Sequence, residues 1–276
     1  MRDWGLTAAL TDLPEWVTAL LVILTAAGDP ATILLFTTGL YWVGPRWSKL
    51  DRVATLRVLL VVVVALTAVT AAKAAFGLPR PPAELRAIAA DGYGFPSGHA
   101  TGATALGVSL AWLLDEPSRR TRWMGAIVFG AGIAATRVAL GVHYLGDVLV
   151  GMVLGSMAAA VTITATRDRV WAGLGLAVGL SILGALLTGL APGNPMTRSV
   201  ALGLGGTVGM AGGWQALARD GAAFDEPSQT RLLGGGLALL LGAGGAWLGS
   251  GPLVAVASAV VAGAAMIGVP HGEAPA

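Results

Sequence analysis

Apolar residues fall in long blocks along this chain, and the polar breaks between blocks are short. Taking runs of roughly 20 apolar residues bounded by charge, Pro or Gly as membrane-spanning helices predicts about ten spans. The first two, Leu13 to Ala27 and Ala31 to Val43, are short and separated only by Gly28-Asp29-Pro30. A tight hairpin of two tilted helices is expected there, with one broken span as the alternative. Val53 to Phe76, His99 to Leu114, Trp123 to Leu140 and Asp147 to Thr166 are clearer, and Val170 to Leu190, Ser199 to Leu217, Leu232 to Leu248 and Leu253 to Val269 follow. The predicted fold is all-α, a polytopic transmembrane bundle of six spans (residues 1–169) followed by four more (residues 170–276).

Composition strengthens this reading. With 55% hydrophobic and 12% charged residues and a mean hydropathy of +0.75, the chain has too few charges to cover an ordinary soluble globule. The net charge of +2 comes from scattered arginines with no basic block, so nucleic acid is not an expected partner. Cysteine is absent, which removes disulfides, thiol nucleophiles and cysteine-ligated metals. The start, MRDWGLTAALTDLPEW, lacks the layout of a signal peptide and is expected to stay on the mature chain.

Arginine and lysine set the orientation. Arg46, Lys49 and Arg52, then Arg119, Arg120 and Arg122, then Arg167 and Arg169, then Arg219 and Arg231 fall on one side by span counting, which is expected to be cytoplasmic. If the first two spans are one, only the N-terminus changes sides.

Three polar clusters stand out from the apolar background, all near span ends on the opposite face. They are Lys73 with Arg80-Pro81 in KAAFGLPRP, then Pro96-Ser97-Gly98-His99, then Thr136-Arg137, His143 and Asp147 in TRVALGVHYLGD. Two of the three histidines and one of the two lysines lie here. The arrangement resembles the signature of the type 2 phosphatidic acid phosphatase superfamily, K-x6-R-P, P-S-G-H and S-R-x5-H-x3-D. Every spacing fits, with Thr136 where that family usually has Ser. The resemblance covers residues 1–166.

Physical chemistry makes sense of the residue types. Phosphoryl transfer is catalysed by positioning and by donors aimed at the charged oxygens, and Lys73, Arg80 and Arg137 can supply them. Pro79 and Pro81 stop the preceding helix near Gly77, so Arg80 can fold back beside Lys73. Ser97 reads as a helix N-cap, and the free N–H groups beyond it, with Gly98 allowing close approach, attract anions. His143 and Asp147 share a face if a helix begins near Val142.

The resemblance implies more. His143 would be the nucleophile that forms a phosphohistidine, Asp147 would orient it, and His99 would protonate the leaving oxygen and then activate water. Lys73, Arg80, Ser97, Gly98 and Arg137 would hold the phosphate, with no metal or cofactor. The partner would be a membrane lipid bearing a phosphate or diphosphate, reached from the extracytoplasmic face of a prokaryotic cell membrane. A phosphotransferase using an alcohol acceptor and a non-hydrolytic lipid transporter are the alternatives. The pervasive membrane character disfavours a soluble haloperoxidase relative.

Other polar residues carry plainer readings. Glu84, Arg86 and Asp91 read as solvated loop, Tyr93 and Phe95 as interfacial aromatics or headgroup contacts, and His271 as part of a polar tail. Asp29 reads as a helix cap. The glycine-rich runs LGLGGTVGMAGG and LGGGLALLLGAGG read as close helix packing. The last four spans are expected to pack on the core or on a further subunit, or to widen a lateral lipid groove.

Overall fold

The computed structural model describes residues 13–47, 50–167, 169–191, 193–219, 232–238, 241 and 251–268. Their helices are α1 (Glu15–Ala26), α2 (Pro30–Trp47), α3 (Arg52–Phe76), α4 (Gly98–Leu113), α5 (Arg119–Ala139), α6 (Leu145–Ala165), α7 (Val170–Thr188), α8 (Thr197–Arg219) and α9 (Pro252–Gly268). Residues 232–238 are helical too, and among the described residues there is no strand. The predicted span Leu232 to Leu248 and the second glycine-rich run lie partly outside the described residues, and His271 wholly.

Helix α3 is the axis of the bundle. A run of valines would favour strand in water, but in lipid a helix satisfies every backbone group within its own segment. Asp51 caps its start, accepting from Ala54 N at 2.6 Å, and Gly77 ends it in the left-handed conformation at φ 58°. Leu56, Leu59, Leu60, Val61 and Val62 are fully buried. Around them pack α2, α4, α6, α7 and α8. One continuous cluster joins Leu59 and Leu60 to Leu174 and Ala177 of α7, Met210 of α8 and Ile267 of α9.

The first two helices correct the expected hairpin. α1 and α2 meet with a bend of 41° at the break, so the chain is deflected there and does not double back. Pro30 opens α2 and Asp29 caps it, leaving too few residues for a reversal. Among the described residues, three helices, α3, α6 and α7, are long and apolar enough to cross a membrane alone, and the bent pair makes a fourth. Helix α4 is short for a span at 16 residues. The protein is an integral membrane protein, and the count of six plus four spans exceeds what length and composition establish.

Glycines bring α8 and α9 into backbone contact, as the first glycine-rich run predicts. A Cβ on Gly209 would stand 2.1 Å from the Val260 carbonyl oxygen, and one on Gly263 2.0 Å from that of Gly206. At the arginine-rich end, Arg57 Nη2 donates to the carbonyls of Thr166 and Arg167 at the end of α6. Arg52 Nη1 does the same for Tyr41 and Trp42. Arg57 thus closes the end of α6, and Arg52 serves carbonyls near the end of α2, where Pro45 cannot donate to Tyr41, and the opposite end of the bundle is left to the polar clusters.

Candidate active site

Four helix ends and one loop meet at that opposite end. Lys73 sits in the last turn of α3, and its ammonium donates to the Tyr93 carbonyl, pulling the loop 77–97 back over the helix. Arg80 spans that loop: its Nε donates to the Asp91 carbonyl at 3.0 Å and its Nη1 to the Val142 carbonyl at 3.0 Å. Arg86, read as solvated, is half-buried and donates to the carbonyls of Pro81 and Ala90 at 2.6 and 3.2 Å, stapling the loop. Glu84 and Asp91 are exposed, as a solvated loop requires. Phe95 packs edge-on against Phe76, so it serves the loop's own packing.

Ser97 is the N-cap of α4, as expected, with Oγ accepting from Ala100 N at 3.5 Å. That contact uses a lone pair and leaves the hydroxyl proton available. The Ser97 N–H donates to the Asp147 carbonyl at 3.0 Å, which locks the start of α4 to the start of α6. Two positive helix ends therefore converge. A Cβ built on Gly98 meets nothing within 4 Å, so open space borders the backbone there.

His143 does not lie on the helix with Asp147, as the sequence reading supposed. α6 begins at Leu145, and His143 occupies the turn before it. The reason is Gly141, at φ +69°, where the backbone turns so close to the loop that a Cβ would lie 1.8 Å from the Leu85 carbonyl oxygen. The pair still meets, with Nδ1 3.6 Å from Asp147 Oδ2. This is longer than a hydrogen bond, and Nδ1 has no other partner among the described residues. Asp147 Oδ2 also accepts from Tyr144 N at 3.0 Å, which fixes the carboxylate at the helix start.

Arg80 Nη1 stands 3.0 Å from the other ring nitrogen, Nε2. A guanidinium only donates, so Nε2 is the unprotonated nitrogen and the proton belongs on Nδ1, facing Asp147. Burial pushes the His143 imidazole down to about 3, Asp147 opposing this while Arg80, Lys73 and Arg137 add to it. The ring is neutral at physiological pH. Burial also lowers the Arg80 guanidinium from its ordinary value, with Arg86 adding and Asp147 and Asp91 opposing.

Arg137 completes the cationic wall. It is buried, its Nη1 donates to Thr25 Oγ1 at 2.9 Å, and its Nε has no partner among the described residues. The Thr136 hydroxyl donates to the Ile133 carbonyl at 2.7 Å, so it is not aimed at the site. His99, one residue into α4, lies with Nε2 3.9 Å from Asp29 Oδ2. Asp29 caps α2 as expected, through Oδ1 to Ala31 N at 2.8 Å, and also faces this site. Neither Thr25 nor Asp29 was singled out as a site residue; Asp29 offered one signal, a carboxylate inside an apolar stretch, and Thr25 offered none.

An apolar groove of about 350 Å³ runs from Lys73 and Gly98 between α2, α3 and α8, walled by Leu66, Leu202 and Met210. A larger apolar cleft of about 540 Å³, between α2, α4 and α5, contains Arg122 and none of the candidate site residues.

The motif resemblance is borne out: residues 54–171 match the family model described as PAP2 superfamily. The fold is that of a transmembrane PAP2-type phosphatidylglycerolphosphate phosphatase from Bacillus subtilis, whose crystal structure aligns with a TM-score of 0.52 at 23% identity, covering 60% of this chain and 86% of that one. No curated protein matches the chain.

Proposed function

We propose that this protein is an integral-membrane phosphatase that hydrolyses a lipid phosphate or polyprenyl diphosphate through a phosphohistidine on His143. One observation carries the reading: the buried imidazole offers an unprotonated Nε2 next to the Arg80 guanidinium and turns its Nδ1 toward Asp147. That is the orientation of an activated nucleophile beside an anion donor. Nε2 attacks phosphorus, the P–O bond breaks, and His99 gives a proton to the leaving oxygen. His99 then takes a proton from water as that water attacks phosphorus, the P–N bond breaks, and inorganic phosphate leaves with His143 restored.

Lys73, Arg80, Arg137, the Ser97 hydroxyl and the backbone at Gly98 hold the phosphate. The charge they supply takes the role a metal would play elsewhere. The groove that ends on Lys73 and Gly98 supports a substrate with a hydrocarbon tail entering sideways from the bilayer. Its α8 wall belongs to the C-terminal region, so residues 170–276 act as an extension that shapes the lipid approach to a core of residues 1–169. The arginine-rich end faces the cytoplasm and the site faces away from it, in a prokaryotic cell membrane.

The test is phosphate release by purified protein in detergent from prenyl diphosphates, phosphatidic acid, phosphatidylglycerol phosphate and a soluble ester, beside His143→Ala. Release that disappears in the variant supports the reading and ranks the substrates. Absence of release from every substrate by folded wild type sinks it, and phosphate found on an added alcohol instead makes the protein a transferase.

A further inference from the structure

We propose that the break between α1 and α2 is a working part of the site, with Asp29 positioning His99 and Thr25 positioning Arg137. This rests on the phosphatase reading above and adds two residues outside residues 54–171, the stretch that matches the family model.

Thr25 lies in the last turn of α1, and it and Arg137 are buried at 6% and 5% exposure. A helical threonine usually turns its hydroxyl to a carbonyl of its own helix. Here the oxygen accepts from Arg137 Nη1 at 2.9 Å, so the guanidinium is held from the α1 side. Its Nε remains a buried donor without a protein partner among the described residues, which suits an anion that has yet to arrive.

Asp29 divides its two oxygens. Oδ1 caps α2 through Ala31 N, while Oδ2 faces His99 Nε2 at 3.9 Å, an electrostatic contact just beyond hydrogen-bond length. The charged groups that act on His99 are Arg137 from α5, Arg80 from the loop, Lys73 from α3, and Asp29. Three of the four are cations, so Asp29 is the acid among them. With Nε2 directed at a carboxylate, Nδ1 is the nitrogen left for the leaving oxygen, and the carboxylate favours a ring that carries a proton to give. The junction is fixed in place: a Cβ on Gly28 would stand 2.3 Å from Ile133 Cγ2 of α5.

The role predicts a dependence on the leaving group. An alkyl phosphate has a poor leaving oxygen that needs a proton, and an aryl phosphate such as p-nitrophenyl phosphate does not. Asp29→Asn is the informative change, since asparagine caps a helix as well as aspartate does and leaves α2 intact. With the full chain in detergent, kcat/KM for octyl phosphate should fall about tenfold or more in Asp29→Asn while the p-nitrophenyl ester changes by less than about threefold. Asp29→Glu should recover part of the loss.

Thr25→Val should raise KM for both esters about fivefold without changing their ratio, and Thr25→Ser should restore it. An equal loss on both esters in Asp29→Asn, or no loss on either, overturns the assignment of Asp29; an unchanged KM in Thr25→Val overturns that of Thr25. Folded wild-type protein that releases phosphate from neither ester nor from any lipid of the panel above would instead remove the phosphatase reading on which both depend.

Discussion

Arg80 and His143, 63 positions apart in sequence, share a 3.0 Å contact between guanidinium Nη1 and imidazole Nε2. The same nitrogen of Arg80 also donates to the Val142 carbonyl. The arginine therefore holds the backbone before the histidine and selects the ring's tautomer at once, and in the proposed mechanism it stays beside the phosphorus when Nε2 attacks. Arg80→Gln should lower kcat/KM for phosphate release by about a hundredfold or more, the loss typical of a donor aimed at developing charge. A rate within threefold of wild type would mean that the contact is incidental.

The neutral state of His143 has a consequence for stability. Its value in the folded protein, about 3, is below the roughly 6.5 of a free imidazole. Between those limits the unfolded chain binds a proton that the native site refuses, so stability is fully present above the unfolded value and is lost as pH falls from about 6.5 toward about 3. His143→Gln lacks this group. Thermal midpoints in detergent from pH 8 to pH 4 should fall faster for wild type than for the variant below pH 6.5. A constant gap between the two would show that His143 is not held neutral.

Gly141→Ala should abolish activity and destabilise the fold by roughly 2–4 kcal/mol, because a positive φ is combined with contact against backbone. The Leu85 carbonyl cannot move without dragging the loop that holds Arg80, and the turn cannot move without displacing His143. Thermal unfolding of purified protein checks this, and a midpoint within a degree of wild type would contradict the close approach.

Thr136→Ser should leave kcat within about twofold, since the hydroxyl is committed to the Ile133 carbonyl, and should cost about 1 kcal/mol through the lost methyl. Steady-state rates on the preferred lipid and a thermal midpoint test both halves. A tenfold change in rate would place the hydroxyl on the phosphate after all.

Chelation should leave turnover intact. Among the described residues no three His, Cys, Asp or Glu side chains are grouped to hold a metal, while three cations face the site. Activity lost to a chelator and recovered with a divalent ion would contradict the mechanism.

The residues that the fold gathers at the candidate site were largely legible in sequence because their background is so apolar. Lys73, Arg80, Arg137, His143 and Asp147 are costly in or beside apolar membrane helices, so their presence at fixed spacing demanded a purpose. The stop at Gly77 and the cap at Ser97 followed from local backbone rules. Thr25 was not legible, because a threonine in an apolar helix has a default partner one turn away and only tertiary structure redirects it. The bend between α1 and α2 was also hidden: Gly28-Asp29-Pro30 suits a reversal as readily as a deflection, and only packing of Gly28 against Ile133 decides. His143 on a turn was missed because i and i+4 spacing looks the same whether the first residue precedes the helix or belongs to it.

The bond from the Ser97 amide to the Asp147 carbonyl joins the segment that carries His99 to the segment that carries His143 through main-chain atoms alone. Apart from proline at position 97, which has no N–H, no side-chain substitution deletes such a joint. Side chains around the pocket can therefore be exchanged while the spacing between the two histidine-bearing segments is kept, which makes this end of the bundle a scaffold on which the lining of the site can be varied by design.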